Sequence, residues 1–257
     1  MTIILSIIGR YRLLIIFGLF GVWALIDPVW KELASSWPFF LDGLYTTAIY
    51  SLTGVSLGLL FGALLAGLRL AGGLPGFIAG FIVVTTQAIP PLFIISAAYL
   101  VSPEVLPFRV TPTSAAVVAL TLIGGSYYCE ALRSAVAGVE HLQIEAAEIT
   151  GLSRRTILFR IILPQALISC VPALGAISIV VFKLSTLLYP LGITDFFRTT
   201  VLVNNRVVAP WQCYALIAAF YYVMSDVLQW VINRISARIC GNTTPEHDSQ
   251  SAKVAVS

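Results

Sequence analysis

The sequence predicts an all-α integral membrane protein of about six transmembrane helices, a five-helix core preceded by an N-terminal helix. Three observations carry this. Of 257 residues, 58% are hydrophobic and 11% are charged, where soluble domains average about 25% charged. The mean hydropathy is +0.94. The apolar residues also fall into long charge-free stretches, and a span needs roughly 20 such residues. A disordered chain, a collagen-like chain and a soluble enzyme are excluded, because none presents this much apolar surface.

The stretches run Leu13–Ile26, Gly43–Leu68, Leu70–Pro103, Val110–Cys129, Ile161–Phe182 and Val207–Ser225. The first follows Arg10 and Arg12 and resembles a signal peptide, but Asp27, Lys31 and Glu32 separate it from the small residues beyond. It reads as a retained first span. The third holds Gly72, Gly73 and Pro75, so its helix is expected to start near Gly76 and to break at Pro90-Pro91. The last extends past Asp226 to Ile232. In the second, Gly54, Gly58 and Gly62 recur every four residues and permit close helix contact.

Cationic residues orient the chain. With a cytoplasmic N-terminus, Arg10, Arg12, Arg69, Arg133, Arg154, Arg155, Arg160, Arg234, Arg238 and Lys253 fall inside, and Lys31, Arg109, Arg198 and Arg206 outside. Ten against four satisfies the positive-inside rule, with both termini cytoplasmic. The organisation expected is residues 1–40 as N-terminal span and outer segment, 41–240 as the core, and 241–257 as a disordered cytoplasmic tail.

A net charge of +3 is too small for a nucleic-acid footprint. Cys129, Cys170, Cys213 and Cys240 are far apart, and His141 and His247 stand alone, so neither a metal site nor a disulfide framework is expected. No GxxxxGK[ST] loop occurs, so the chain has no such phosphate cradle of its own and is not expected to be an enzyme.

One inside loop, from about Glu130 to Arg160, concentrates charge and helix punctuation. Gln143–Thr150 reads as a short helix of good formers. Gly151 suits the left-handed residue after its end, and Ser153 can cap the next helix. Pro164 should disturb the helix that re-enters the membrane.

The segment Glu145–Pro164 reads EAA, three residues, Gly151, nine residues, Ile161-x-Leu163-Pro164. This resembles the signature of the permease subunits of ABC importers, within an EAA loop at 130–165. The surroundings resemble the polar amino-acid branch, which takes histidine, glutamine, glutamate, arginine or opines. The matching stretches are Tyr127-x-x-Glu130-x-x-Arg133, ILPQAL, VFKLSTL around Lys183, GITDFFRTT around Asp195, and APWQCY from Ala209 to Tyr214. The likeness covers about Trp37 to Cys240. Two places depart from it. The branch's Arg-Gly-Thr-Pro segment is replaced by Thr85-Thr86-Gln87-Ala88-Ile89-Pro90, and Lys-Asp-Thr-Ser by Lys183-Leu184-Ser185-Thr186.

The resemblance implies an ABC type I importer-like fold and a permease that carries a small polar solute, an amino acid or derivative, across the bacterial inner membrane. It implies docking of Glu145, Ala146, Ala147 and Gly151 on a cytoplasmic ABC ATPase dimer. ATP and magnesium would reside on that partner, with no cofactor on this chain. A second permease subunit, identical or not, and an extracytoplasmic solute-binding protein complete the assembly. From the residues themselves, Lys183 with Ser185 and Thr186, and Gln87 beside the proline break, are candidates to line the solute path, because polar groups within spans are costly. The alternative is an ATP-independent secondary transporter or channel, which would leave the EAA pattern without a role.

Overall fold

The structure, a computed structural model, describes residues 29–101 and 110–239. Ten α-helices are described: α1 (Val29–Ser35), α2 (Trp37–Ala71), α3 (Gly73–Ala88), α4 (Pro91–Leu100), α5 (Pro112–Ala137), α6 (His141–Ile149), α7 (Arg154–Ile157), α8 (Leu163–Leu184), α9 (Phe196–Val207) and α10 (Pro210–Ile239). A π-helical turn, Leu158–Ile162, joins α7 to α8, and a 3-10 helix, Ser185–Leu191, follows α8. Four segments are long and apolar enough to span a membrane, and the α3–α4 pair makes five if it counts as one broken span. The expected first span, Leu13–Ile26, and the tail 241–257 lie outside the described residues.

Prolines and glycines set the helix boundaries. Pro91, Pro112 and Pro210 each open a helix, where the missing N–H costs nothing and the fixed φ suits the first turn. Thr111 and Ser114 form a reciprocal cap at the start of α5. The Ser114 N–H donates to Thr111 Oγ1 at 3.1 Å, and the Thr111 N–H to Ser114 Oγ at 3.0 Å. Between α2 and α3, Gly72 and Gly73 take φ of 74° and 64°, which only glycine adopts cheaply. The third helix therefore starts at Gly73 rather than near Gly76. It ends where Ile89, forced out of the helical region by the following proline, turns extended.

The inside loop is shorter than expected at its start. α5 runs on to Ala137, so Glu130 and Arg133 are helical residues. Their charges do not require a loop, because they pair with each other and with Arg69 of α2.

The chain divides into two compact units. Among the described residues, one comprises 29–53, 91–101, 110–119 and 182–226, and the other 54–90, 120–181 and 227–239. The first is centred on rings: Phe196 lies 4.1 Å from Phe220 and 6.0 Å from Phe40, and Phe182 lies 5.4 Å from Tyr221, centroid to centroid. Such pairs add about 0.5–1.5 kcal/mol each beyond simple burial. The second is built on close backbone approach. Gly58 and Gly62 of α2 face Gly124 and Gly125 of α5, and a methyl at Gly62 would stand 2.7 Å from the Gly125 carbonyl oxygen. Small residues permit this contact, which supplies packing where apolar burial alone drives nothing in lipid. Beside it, Leu65, Ala66, Ala79, Val83 and Cys129 form a buried cluster.

Candidate functional site

The EAA segment forms the helix–turn–helix that its residues predict. α6 ends in a Schellman motif. The Gly151 N–H donates to the Glu148 carbonyl at 2.9 Å, and the Leu152 N–H reaches back to the Ala147 carbonyl at 3.3 Å. The motif needs a left-handed residue, and Gly151 has φ of 80°. The Thr150 hydroxyl adds a second donor to the Ala147 carbonyl at 2.8 Å. Ser153 then caps α7, its Oγ accepting from the Thr156 N–H at 3.2 Å. The turn is thus set by local hydrogen bonds on both sides.

Pro164 disturbs the following helix in a specific way. A proline at that position cannot donate to the Arg160 carbonyl, and its ring crowds it. The turn before it widens, and the Leu163 N–H bonds five residues back to the Leu158 carbonyl. The helix continues as α8 without stopping. A cross-link between Gln165 Nε2 and Gln143 Oε1, at 2.9 Å, ties α6 to α8.

The four expected coupling residues do not share one face. Glu145, Ala146 and Gly151 are exposed, whereas Ala147 is 6% exposed and packs inward. Ala147 therefore serves α6 itself: its small side chain lets the helix sit down, and its carbonyl anchors the turn. Apolar side chains that the motif does not mark stand on the surface instead, with Ile149 87% and Leu142 68% exposed. The signal for them was the run Leu142, Ile149, Leu152 within an otherwise polar loop.

The path candidates fall in different places. Gln87 donates from Nε2 to the Ser126 carbonyl at 3.2 Å, in the unit that holds residues 54–90, 120–181 and 227–239. Lys183, Ser185 and Thr186 belong to the other unit. They were expected on one helix, but α8 stops at Leu184 and the tighter 3-10 turn redirects Ser185. Lys183 is exposed and Ser185 fully buried, its Oγ 3.5 Å from the Tyr221 hydroxyl. Thr186 donates to the Lys183 carbonyl at 2.9 Å.

Two polar features were not legible as sites. Glu130 accepts from Arg69 Nη1 at 2.6 Å and from Arg133 Nε at 3.1 Å, joining α2 to α5. Asp195 caps α9, with Oδ1 accepting from the Arg198 N–H at 2.9 Å, and is completely buried. Burial pushes its carboxyl up to about 6, against the pull of the N–H groups of Arg198 and Phe197. An Asp ahead of a polar helix announces a cap in sequence, but not its burial.

Residues 58–239 match the family model described as the inner membrane component of binding-protein-dependent transport systems. The chain belongs to this family. It is a multi-pass inner-membrane permease rather than a catalytic subunit. Among its relatives, the glutamate/aspartate import permease protein GltK of Escherichia coli O157:H7 is 30% identical over 217 residues, covering 81% of this permease and 97% of GltK. The glutamine transport system permease protein GlnP of Escherichia coli K12 is 27% identical over 82% of this chain and 97% of GlnP. The arginine ABC transporter permease protein ArtQ of the same strain is 31% identical over 51% of this chain and 55% of ArtQ. In fold, the permease resembles a crystal structure of an amino acid ABC transporter with histidines. The TM-score is 0.77 at 24% identity, covering 81% of this chain and 97% of that one.

Proposed function

We propose that this permease serves an ATP-driven ABC importer and passes a small polar solute, an amino acid or derivative, across the cytoplasmic membrane. The observation that carries the reading is the hydrogen-bonded α6 tip, on which Glu145, Ala146 and the Gly151 turn are exposed and free to meet a partner. A docking element must hold its shape without the partner, and this one does so through local bonds. That relatives spanning most of the chain are named as glutamate/aspartate and glutamine permeases supports the solute class.

In this reading a cytoplasmic ATPase dimer receives α6, and ATP and magnesium are bound there, with no cofactor or metal on this chain. Closure of that dimer shifts α6, and Gln165–Gln143 passes the shift to α8, a two-state element biased by a partner. A second permease subunit completes the path. A solute-binding protein delivers from outside, at the segments Pro103–Pro112 and Gly192–Trp211. Both termini are cytoplasmic by the balance of cationic residues. Residues 1–40, 41–240 and 241–257 act as N-terminal span, permease core and tail. Lys183 supplies a cation for a solute carboxylate, with Thr186 beside it as polar lining.

The test is co-elution of the purified chain with its ATPase, for the native protein and for Glu145→Lys and Gly151→Leu. Loss of association or of solute-stimulated hydrolysis, with the fold retained, is the expected result. Normal assembly and hydrolysis by both variants would remove the docking role. A transport assay without preference for amino acids would remove the solute class alone.

A further inference from the structure

Asp195 is the only acidic residue among the buried described residues, and it has no compensating cation. It sits in the unit that holds residues 29–53, 91–101, 110–119 and 182–226, where α2, α9 and α10 meet beside Phe40, Phe196, Phe220 and Tyr221. Its Oδ1 is used as the helix cap. Its Oδ2 is buried and makes no hydrogen bond, with the Tyr221 hydroxyl as its neighbour. The Arg198 guanidinium does not neutralise it, lying over the Tyr189 ring 5.8 Å from the centroid.

A carboxylate in this setting is poorly served. An ionised oxygen without a donor in a buried site bears the full penalty of lost hydration. A carboxylic acid is well served: Oδ1 still accepts from the Arg198 N–H, and an Oδ2–H gains a proton to donate to the tyrosine oxygen. The packing leaves room for little else. A methyl on Gly43 of α2 would stand 3.0 Å from Phe196 Cα and 3.1 Å from the Asp195 carbonyl oxygen. The Phe196 N–H already donates to Thr47 Oγ1 of α2 at 3.0 Å.

We propose that the Asp195 carboxyl is a proton-binding site that seats the N-terminus of α9 on α2 and α10: protonated it holds the seat, and ionised it loosens it. The proton comes from water onto Oδ2, and no other bond changes. The polar groups around the carboxyl are the Thr47 hydroxyl from α2, Ser185 from the 3-10 helix, Tyr221 from α10, and the α9 backbone N–H groups. Tyr221 is the titratable group among them, and a phenol ordinarily ionises near about 10, clear of the range in which a carboxyl changes state.

The sign follows from the raised carboxyl. Its ordinary value is 3.8, and in the folded chain it lies at about 6. The folded state thus holds a proton that the unfolded state has lost. The stability contributed by this site is complete below the ordinary value and falls as pH rises to about 6. Given the orientation proposed above, the site lies on the outer side of the chain, so acid outside seats α9.

The experiment titrates the purified full chain in lipid nanodiscs by infrared spectroscopy. It needs neither ATPase nor solute, so it succeeds or fails separately from the importer reading. One protonated-carboxyl band is expected to vanish with a midpoint at about 6 and to be absent from Asp195→Asn. Tyr221→Phe keeps the cap and removes the oxygen that accepts from the protonated Oδ2–H, so it should move the midpoint downward. The thermal unfolding midpoint should fall across the same range in the native chain and stay flat in Asp195→Asn. A band that persists in Asp195→Asn, an unmoved midpoint in Tyr221→Phe, or parallel thermal profiles would each overturn the proposal.

Discussion

The Arg69 guanidinium donates to the Glu130 carboxylate at 2.6 Å, across 61 residues of sequence, and so joins the last turn of α2 to α5. The second bond, from Arg133, lies within α5 itself. Only the first therefore links two helices. It lies on the C-terminal side of the glycine contact in both helices.

A double-mutant cycle measures this link. Both side chains are partly exposed, at 21% and 36%, so solvent screens them. Arg69→Ala and Glu130→Ala should couple by about 0.5–1 kcal/mol in unfolding from detergent, near the upper range for exposed pairs. Arg133→Ala paired with Glu130→Ala should couple by less, because that bond closes only one helical turn. Equal coupling in both cycles would contradict the distinction.

Two glycines of α2 should respond in opposite ways to alanine. At Gly62 a methyl would lie 2.6 Å from Tyr128 Cβ and 2.7 Å from the Gly125 carbonyl oxygen, and backbone cannot swing aside. Gly62→Ala should lose about 1–3 kcal/mol in thermal or denaturant unfolding. At Gly67 nothing stands within 4 Å of the new methyl. Gly67→Ala should therefore gain roughly 0.5–1 kcal/mol through helix propensity. A common direction for both would show that the α2–α5 contact is looser than described.

The turn after α6 gives a graded series. Gly151 has φ of 80°, which asparagine tolerates better than alanine. ATPase association should fall in the order Gly151, Asn, Ala, with the alanine variant costing about 1 kcal/mol in turn stability. Titration of the native ATPase against each purified variant reads the order. Identical affinities would mean that the turn conformation does not matter for docking.

Val208 is the one non-glycine residue with positive φ among the described residues, at 53°, and its side chain is 80% exposed. Its N–H closes α9 onto the Asn204 carbonyl at 2.7 Å. A β-branched residue gains nothing there from packing and carries the left-handed strain. Val208→Gly should raise the unfolding midpoint, by about 1 kcal/mol of stability. No change, or a loss, would indicate that the valine makes a contact in the assembled transporter.

Much of this was readable beforehand where the physics is local. The EAA turn is an example, since Gly151 and Ser153 act on hydrogen bonds within five residues of themselves. Pro164 is another, with its widened turn one step before it. The glycines of α2 announced a close contact, but their partners, Gly124 and Gly125, did not identify themselves. Lys183, Ser185 and Thr186 looked like neighbours on one helix. Residues two apart on a helix point to different faces, and the fold buries Ser185 while leaving Lys183 exposed.

Composition alone determined that lipid is the solvent, because 11% charged residues cannot cover a surface of this size in water. The spacing of Glu145, Gly151 and Pro164 alone determined the form of the EAA loop. Tertiary structure decided the fate of the remaining charge. Whether Glu130 is a loop residue or a tie between helices depends on Arg69, and whether Asp195 is an ordinary cap or a buried acid depends on Thr47 and Tyr221. Local bonds are encoded within a few residues, whereas burial and ion pairing are properties of segments that only the fold brings together.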